Sequence, residues 1–285
     1  MTATPKSGSP EPQVSGLYSP LFLQGLYTTL EDCLTLTSGS VDLERLVALE
    51  SRRYDHAPLL DANRRVVGVI YTKTARERFE TGQPLEERDA ELTWVHEHTT
   101  LDGLLTSMSM RRAVLVAGDM VDGSVSTPNL VGLFTLSDFN LHTFRARLYS
   151  LLADLETHLA ELMQVVYDDP WTWLEWLPEG QRVGVVGSWE LSKRAGVDLS
   201  PVHALNLTQL VTVVASSKEL RGQLGFSSRR KFDELTGGIP DLRNRVMHPV
   251  RHLVMRQEDV TALHKTAAAV CSLRDIVAGV LAKMG

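Results

Sequence analysis

Two stretches in the first half of the chain repeat one pattern, and that repeat most constrains the fold. The first reads SVDLERLVALESRRYDHAPLLDANRRVVGVIYTKT and the second TTLDGLLTSMSMRRAVLVAGDMVDGSVSTPNLVGLFTLSD. Each opens on a small polar residue before a helix start, at Val41-Asp42-Leu43 and at Leu101-Asp102. Apolar residues at helical spacing follow, Leu43, Leu46 and Val47 in one copy and Leu101, Leu104 and Leu105 in the other. Two strand-like runs come next in each copy, Ala57–Leu60 with Val66–Tyr71 and Ala113–Ala117 with Leu130–Thr135. The link Asp61-Ala62-Asn63 predicts a tight hairpin; Gly118–Asn129, with Gly, Asp, Ser and Pro, predicts a longer loop. Further helix is expected at Thr72–Phe79 and from Asp138 onward. A unit of about 60 residues present twice is a paired module, because neither copy buries its sheet alone.

From Leu141 the texture changes. Leu148, Leu151, Leu152, Leu155, Leu159 and Leu162 recur at three- and four-residue steps, which predicts a long amphipathic helix over about Phe139–Tyr167, ended by Asp169-Pro170. Ser200-Pro201 reads as an N-cap and first-turn proline for a helix to about Leu224. Ser227–Leu235, a helical turn opened by Pro240, and Glu258–Met284 complete an all-α bundle of four or five helices. The expected architecture is α+β: a tail at residues 1–20, a repeat module over 21–142 and a helical domain over 143–285.

The chain has 285 residues, 43% of them hydrophobic and 22% charged, a globular composition. No apolar run approaches the roughly 20 residues of a membrane helix. The start has Pro, Ser and Gly but no apolar stretch, so it reads as a tail and not a signal peptide. Cys33 and Cys271 have no metal-binding spacing; two thiols of this kind fit a reducing, cytoplasmic setting without a structural metal. The net charge of −6 excludes a protein that coats nucleic acid. It is unevenly spread: residues 1–142 hold 12 basic and 19 acidic residues, a net −7, whereas Lys218–Arg256 holds 9 and 4, a net +5.

The second repeat ends Gly132-Leu133-Phe134-Thr135-Leu136-Ser137-Asp138, a strand running into a helix start. An Asp there can accept from both hydroxyls of a ribose, while the Thr hydroxyl and the first helical amides donate to a phosphate. Thr, Ser and Asp are equally ordinary helix caps. The stretch resembles the end of a cystathionine-β-synthase (CBS) domain, over about Leu34–Phe144, and His56-Ala57-Pro58 matches the family's strand start. That resemblance implies a tandem CBS-like module of αββα units, an adenine nucleotide as regulatory ligand, and Thr135 and Asp138 as nucleotide-binding residues. The first repeat departs from the pattern: aligned on Gly68, Tyr71 takes the Thr position and Thr74 the Asp position, so the ribose carboxylate is missing there.

Arg243-Asn244-Arg245-Val246-Met247-His248-Pro249 is the second constellation. A His can take a 2′-hydroxyl proton or protonate the leaving oxygen, and an Arg can hold the phosphate, so RNA cleavage this way needs no metal. Residues five apart on a helix lie about 140° from one another, and Pro249 biases His248 out of the helix. The pair therefore converges only if the helix ends near His248 or a second protomer completes the site. An ordinary helix end, with Arg243 paired to Asp241, accounts for the same residues. The surrounding LGFSSRRKFDELTGGIPDLRNRVMHPVRHLV resembles the higher-eukaryote and prokaryote nucleotide-binding (HEPN) superfamily, over about Arg145–Gly285. That resemblance implies a HEPN-like helical bundle, a homodimer, and Arg243, Asn244 and His248 as the catalytic set of a metal-independent endoribonuclease in stress or phage defence. Arg229, Arg230, Lys231, Arg245 and Arg251 form either an RNA-binding track or a solvated helix face. Trp171, Trp173, Trp176 and Trp189 either stack bases or fill core and interface. Two functions stand at this point. One is an adenine-nucleotide-regulated endoribonuclease with RNA as substrate and no required cofactor; the other is a non-catalytic nucleotide sensor or adaptor that dimerises and docks a protein partner. Neither involves a membrane.

Overall fold

The computed structural model of the protein describes residues 23–119, 129–169 and 171–284. The expected tail at 1–20, most of the Gly118–Asn129 loop and Pro170 lie outside the described residues. Two short strands, β1 (Thr28–Thr29) and β2 (Leu36–Thr37), precede the first repeat: α1 (Leu43–Ser51), β3 (His56–Leu60), β4 (Val66–Tyr71) and α2 (Thr72–Glu80). β5 (Trp94–His96) leads into the second: α3 (Leu101–Met110), β6 (Ala113–Gly118), β7 (Asn129–Thr135) and a 3-10 turn, Leu136–Asn140. Both repeat helices start on a side-chain cap, Asp42 accepting from the Glu44 and Arg45 amides and Thr100 from the Gly103 amide. Each copy also carries a strand the pattern did not show: β2 runs parallel to β3 and β5 parallel to β6. Strands of two or three residues have too little length to display a period.

The strands form two sheets, ordered β1-β7-β6-β5 and β2-β3-β4. The sheets meet through Val69, Ala113, Leu115 and Leu133. Both hairpins bulge at the same place: Gly68 pairs with Leu59 and Gly132 with Val116, and the register shifts one step further on. At both glycines another segment's backbone passes close. A Cβ on Gly68 would lie 2.9 Å from the Glu91 carbonyl oxygen, and one on Gly132 would collide with the Thr28 carbonyl oxygen and the Tyr27 ring. The bare Gly132 is what lets β1 pair with β7, with Thr29 opposite it. Gly132→Ala is expected to push β1 off the sheet edge and to cost about 2 kcal/mol. Thermal unfolding would show this as a fall of about 4–8 °C; an unchanged melting temperature would contradict the close approach.

The second half is helical throughout: α4 (His142–Val166), α5 (Glu179–Arg194), α6 (Leu207–Ser216), α7 (Lys218–Gln223), α8 (Arg229–Thr236), α9 (Ile239–Met247) and α10 (Gln257–Met284). Three expectations need correction. The long helix begins at His142, because Thr135 and Asp138 close a reciprocal cap around a separate 3-10 turn. Ser200-Pro201 opens only the 3-10 turn Pro201–Ala204. Asn206 and Gln209 then build a reciprocal cap that starts α6, and Ser217 caps α7, which divides the expected single helix in two. α5 lacks an apolar stripe, with Val185 its one buried side chain, and so carried no helical period.

The core does not divide where the texture changes. Val114, Val116 and Phe134 of β6 and β7 pack in one cluster with α3, with Leu148, Leu152 and Leu155 of α4, and with Leu263, Val270 and Leu273 of α10. The first repeat has its own core around Leu46, Leu49, Leu59 and Ile70. Residue 142 thus marks a change of secondary structure inside a shared core. A hydrogen bond of 2.7 Å between His264 of α10 and Asp102 of α3 crosses the same junction.

Candidate functional site

β7 delivers the Thr135 turn to a cavity of about 540 Å³. The second repeat lines it with Leu133, Thr135, Leu136 and Ser137, and the first repeat with Arg53, Tyr54, Asp55, His56, Pro58 and Tyr71. The helical half closes it with His252 and with Val254, Met255, Arg256, Gln257 and Glu258, the segment that leads into α10.

Thr135 faces this space and Asp138 stands behind it. Asp138 Oδ2 accepts from the Thr135 amide at 2.6 Å and the Thr135 hydroxyl at 2.9 Å, and the Thr135 and Ser137 hydroxyls are 2.7 Å apart. The Asp138 residue is only 6% exposed. Burial pushes its carboxyl up to about 6, against the lowering effect of the two Thr135 hydrogen bonds. Across the cavity the His56 and Tyr71 rings lie 5.0 Å apart and tilted. Burial holds the His56 imidazole below its ordinary value, with Asp55 opposing and Arg112 reinforcing the effect. Cys33 also lines the cavity; burial and the nearby Asp138 and Asp32 push its thiol up to about 11, which keeps it protonated.

Three arginines, Arg53, Arg112 and Arg256, line the cavity from three separate elements. Among the described residues none of the three has a carboxylate within ion-pair distance, whereas Arg76, Arg78 and Arg111 all do. With Asp55 and Glu258 as the acidic lining residues, the wall is net positive by one charge in a chain of net −6.

The helical wall is tied directly to the Thr135 turn. Asn140 ends that turn, and its side-chain oxygen accepts from the Leu253 amide at 2.7 Å while its NH₂ donates to the Val254 carbonyl at 2.7 Å. Arg145 of α4, 4% exposed, donates to the carbonyls of Arg245, Arg251 and Asn140. Arg245 donates to the carbonyls of His252 and Leu253. Residues 245–254 are therefore stitched by two arginines and an asparagine whose partners are backbone groups.

The Arg243, Asn244 and His248 set lies outside the cavity. Arg243 is half-buried on α9 and donates weakly to Asn244 at 3.4 Å; its charge also lowers the Glu156 carboxyl on α4, which burial otherwise raises. His248 is exposed and forms the C-cap of α9, in extended backbone conformation, as Pro249 dictates. Of the proposed RNA track, Arg229 and Arg230 pair with Asp233 and Glu234 one helical turn on. Arg245 is built into the loop just described and sits 3.8 Å from Asp241; Lys231 and Arg251 are exposed. Trp173 is core, Trp171 packs edge-on against Trp189 at 4.8 Å, and the Trp189 indole donates to the Leu199 carbonyl. Among the described residues one group could hold a metal ion: His96, His98 and Asp119, all exposed, with ligand atoms within 4.8 Å of one another.

No protein-family model matches the chain, and no curated protein matches it. Solved structures resemble its N-terminal part. A conserved protein domain of unknown function from Neisseria meningitidis MC58 is 15% identical over 42% of this chain and 77% of that one, with a TM-score of 0.35. A CBS domain protein from Shewanella oneidensis MR-1 is 20% identical over 41% and 91%, with a TM-score of 0.33. CbpB in complex with c-di-AMP is 16% identical over 47% and 89%, with a TM-score of 0.34. No helix of the described residues is long and apolar enough to cross a membrane.

Proposed function

We propose that this chain is a nucleotide-responsive regulatory protein, with a CBS-like repeat pair that binds an adenine nucleotide in the cavity between the repeats. One observation carries the reading: the Thr135 turn, an aromatic pair and three arginines without carboxylate partners surround a single space of about 540 Å³. That volume suits a small ligand; the His56–Tyr71 pair offers a stacking surface for a base, and the guanidinium groups complement phosphate. Thr135 contacts the ligand directly, and Asp138, buried behind it, acts by holding Thr135. Calorimetry of the full chain with AMP, ATP and c-di-AMP tests this. At least one is expected to bind at one site per chain, and Ser137→Trp, which fills the cavity from an exposed position, is expected to abolish binding. Heat of binding for none of the three, or binding unaltered by Ser137→Trp, would refute it.

A second reading assigns the output as metal-independent RNA cleavage by a HEPN-like helical half, with Arg243, Asn244 and His248 as the catalytic residues. Its support is a contrast within α9: the Arg245 side chain is committed to the loop backbone, while Arg243 bonds only to its neighbour Asn244 and the His248 ring has no hydrogen bond or ion pair among the described residues. Lys231 and Arg251 would then be the accessible part of the RNA track, and a homodimer would complete the cleft. Val183, Val186 and Leu191 of α5 are exposed apolar side chains suited to such pairing. RNA incubated without divalent metal is expected to be cut, and His248→Ala to lower the rate by about 10²–10⁴-fold. Equal trace cleavage by both proteins would leave the bundle as the dimerising or partner-docking element of a sensor.

A further inference from the structure

We infer that the nucleotide site is composite, with Arg256 of the helical half binding the ligand's phosphate together with Arg112 and Arg53 of the repeats. This rests on the proposed cavity but adds a contact from outside the repeat pair. Gln257 carries the geometry. Its side-chain NH₂ donates to the carbonyl of Met108 and, at 3.2 Å, to that of Arg111. Arg256 and Arg112 are the chain neighbours of the two residues in that second bond, so one hydrogen bond sets two guanidinium-bearing residues side by side. Both line the same cavity, and neither has a carboxylate within ion-pair distance among the described residues.

The backbone under Arg256 is fixed as well. Asp259 Oδ2 accepts from the Met255 amide at 2.8 Å and the Arg256 amide at 2.9 Å, while Asn140 holds Val254 just upstream. Only the Arg256 side chain is left to move, on a segment whose backbone is already in place. An anion bound between the two guanidinium groups is attracted by both charges. Arg112 also acts on the titration of His56, which places it beside the proposed base-stacking pair. A mononucleotide then has its base toward His56 and Tyr71 and its phosphate between Arg112 and Arg256.

Calorimetry with ATP, adenosine and inorganic pyrophosphate on the full chain tests the assignment. Arg256 is exposed, so Arg256→Ala is not expected to disturb folding. It is expected to weaken ATP and pyrophosphate by about tenfold to a hundredfold and to leave adenosine unchanged, with Arg256→Lys in between. Lys265→Ala removes an exposed charge of α10 outside the cavity and is expected to bind ATP as the native chain does. Native-like ATP binding by Arg256→Ala would overturn the composite site and leave the sensor reading standing. Arg256-dependent pyrophosphate binding without nucleotide binding would uphold the phosphate site and overturn the nucleotide. Absence of binding to all three probes would overturn both.

Discussion

Replacing Arg145 with Met is expected to lower the melting temperature by roughly 10 °C. Arg145 is 4% exposed, yet among the described residues its guanidinium has no carboxylate within ion-pair distance; it donates instead to the carbonyls of Asn140, Arg245 and Arg251. Burial first, and the neighbouring Arg245 second, depress its pKa, which shows the charge sits in an unfavourable place and is held by hydrogen bonds. Methionine fills a similar volume and donates nothing, so these carbonyls lose their charged donor. Unmade hydrogen bonds of this kind cost about 1–3 kcal/mol each, and relief from a desolvated charge offsets part of the sum, leaving about 4 kcal/mol. The loss should be local in origin: residues 245–254, stitched by this side chain, are expected to become protease-sensitive before the rest of the chain. A variant that melts with the native protein would show that these bonds are not made in solution.

The second large effect concerns Asp138 and pH. Its folded carboxyl sits at about 6, above the ordinary 3.8, because it is buried. Folding therefore favours the protonated form, which predominates in the folded state only below about pH 6. Its contribution is fully present below the unfolded pKa and is lost as pH rises from about 4 through about 6. Asp138→Asn keeps an acceptor for the Thr135 amide and hydroxyl without the charge. At a pH near 7.5 the variant is expected to exceed the native chain by up to roughly 3 kcal/mol. Near pH 4 the two are expected to melt alike. Melting temperatures across that range decide the matter; a variant less stable at the higher pH, or a difference independent of pH, would mean the carboxylate is better compensated than its burial implies.

The same residues show where the sequence was legible. Both repeats announced themselves through apolar period and a small polar residue before each helix start, and the structure folds them as helix and hairpin with a matching bulge. Gly68 and Gly132 stand at equivalent repeat positions, but the segment that passes over each is set by the fold. Arg145 left a readable trace as a charge on the apolar stripe of α4, between Leu141 and Leu148, and such a charge needs partners. Asn206 and Gln209 likewise spelled a reciprocal cap inside what was read as one helix. Arg256 left none. Its neighbours in the cavity, Arg53 and Arg112, lie in the other half of the chain, and nothing in a basic stretch distinguishes the arginine that faces a cavity from those on a solvated face. The total of −6 behaved the same way: it excludes a coating role, but it averages over a local positive wall.

Joint response of the repeats and of the segment that carries Arg256 to a bound nucleotide is what the composite cavity requires, and hydrogen exchange measures it directly. In the full chain with ATP, amides in the repeats that line the cavity and amides of residues 251–258 are expected to slow together, because Asn140 and Gln257 join the two. Slowing confined to the repeats, with exchange at 251–258 unchanged under saturating ATP, would contradict it.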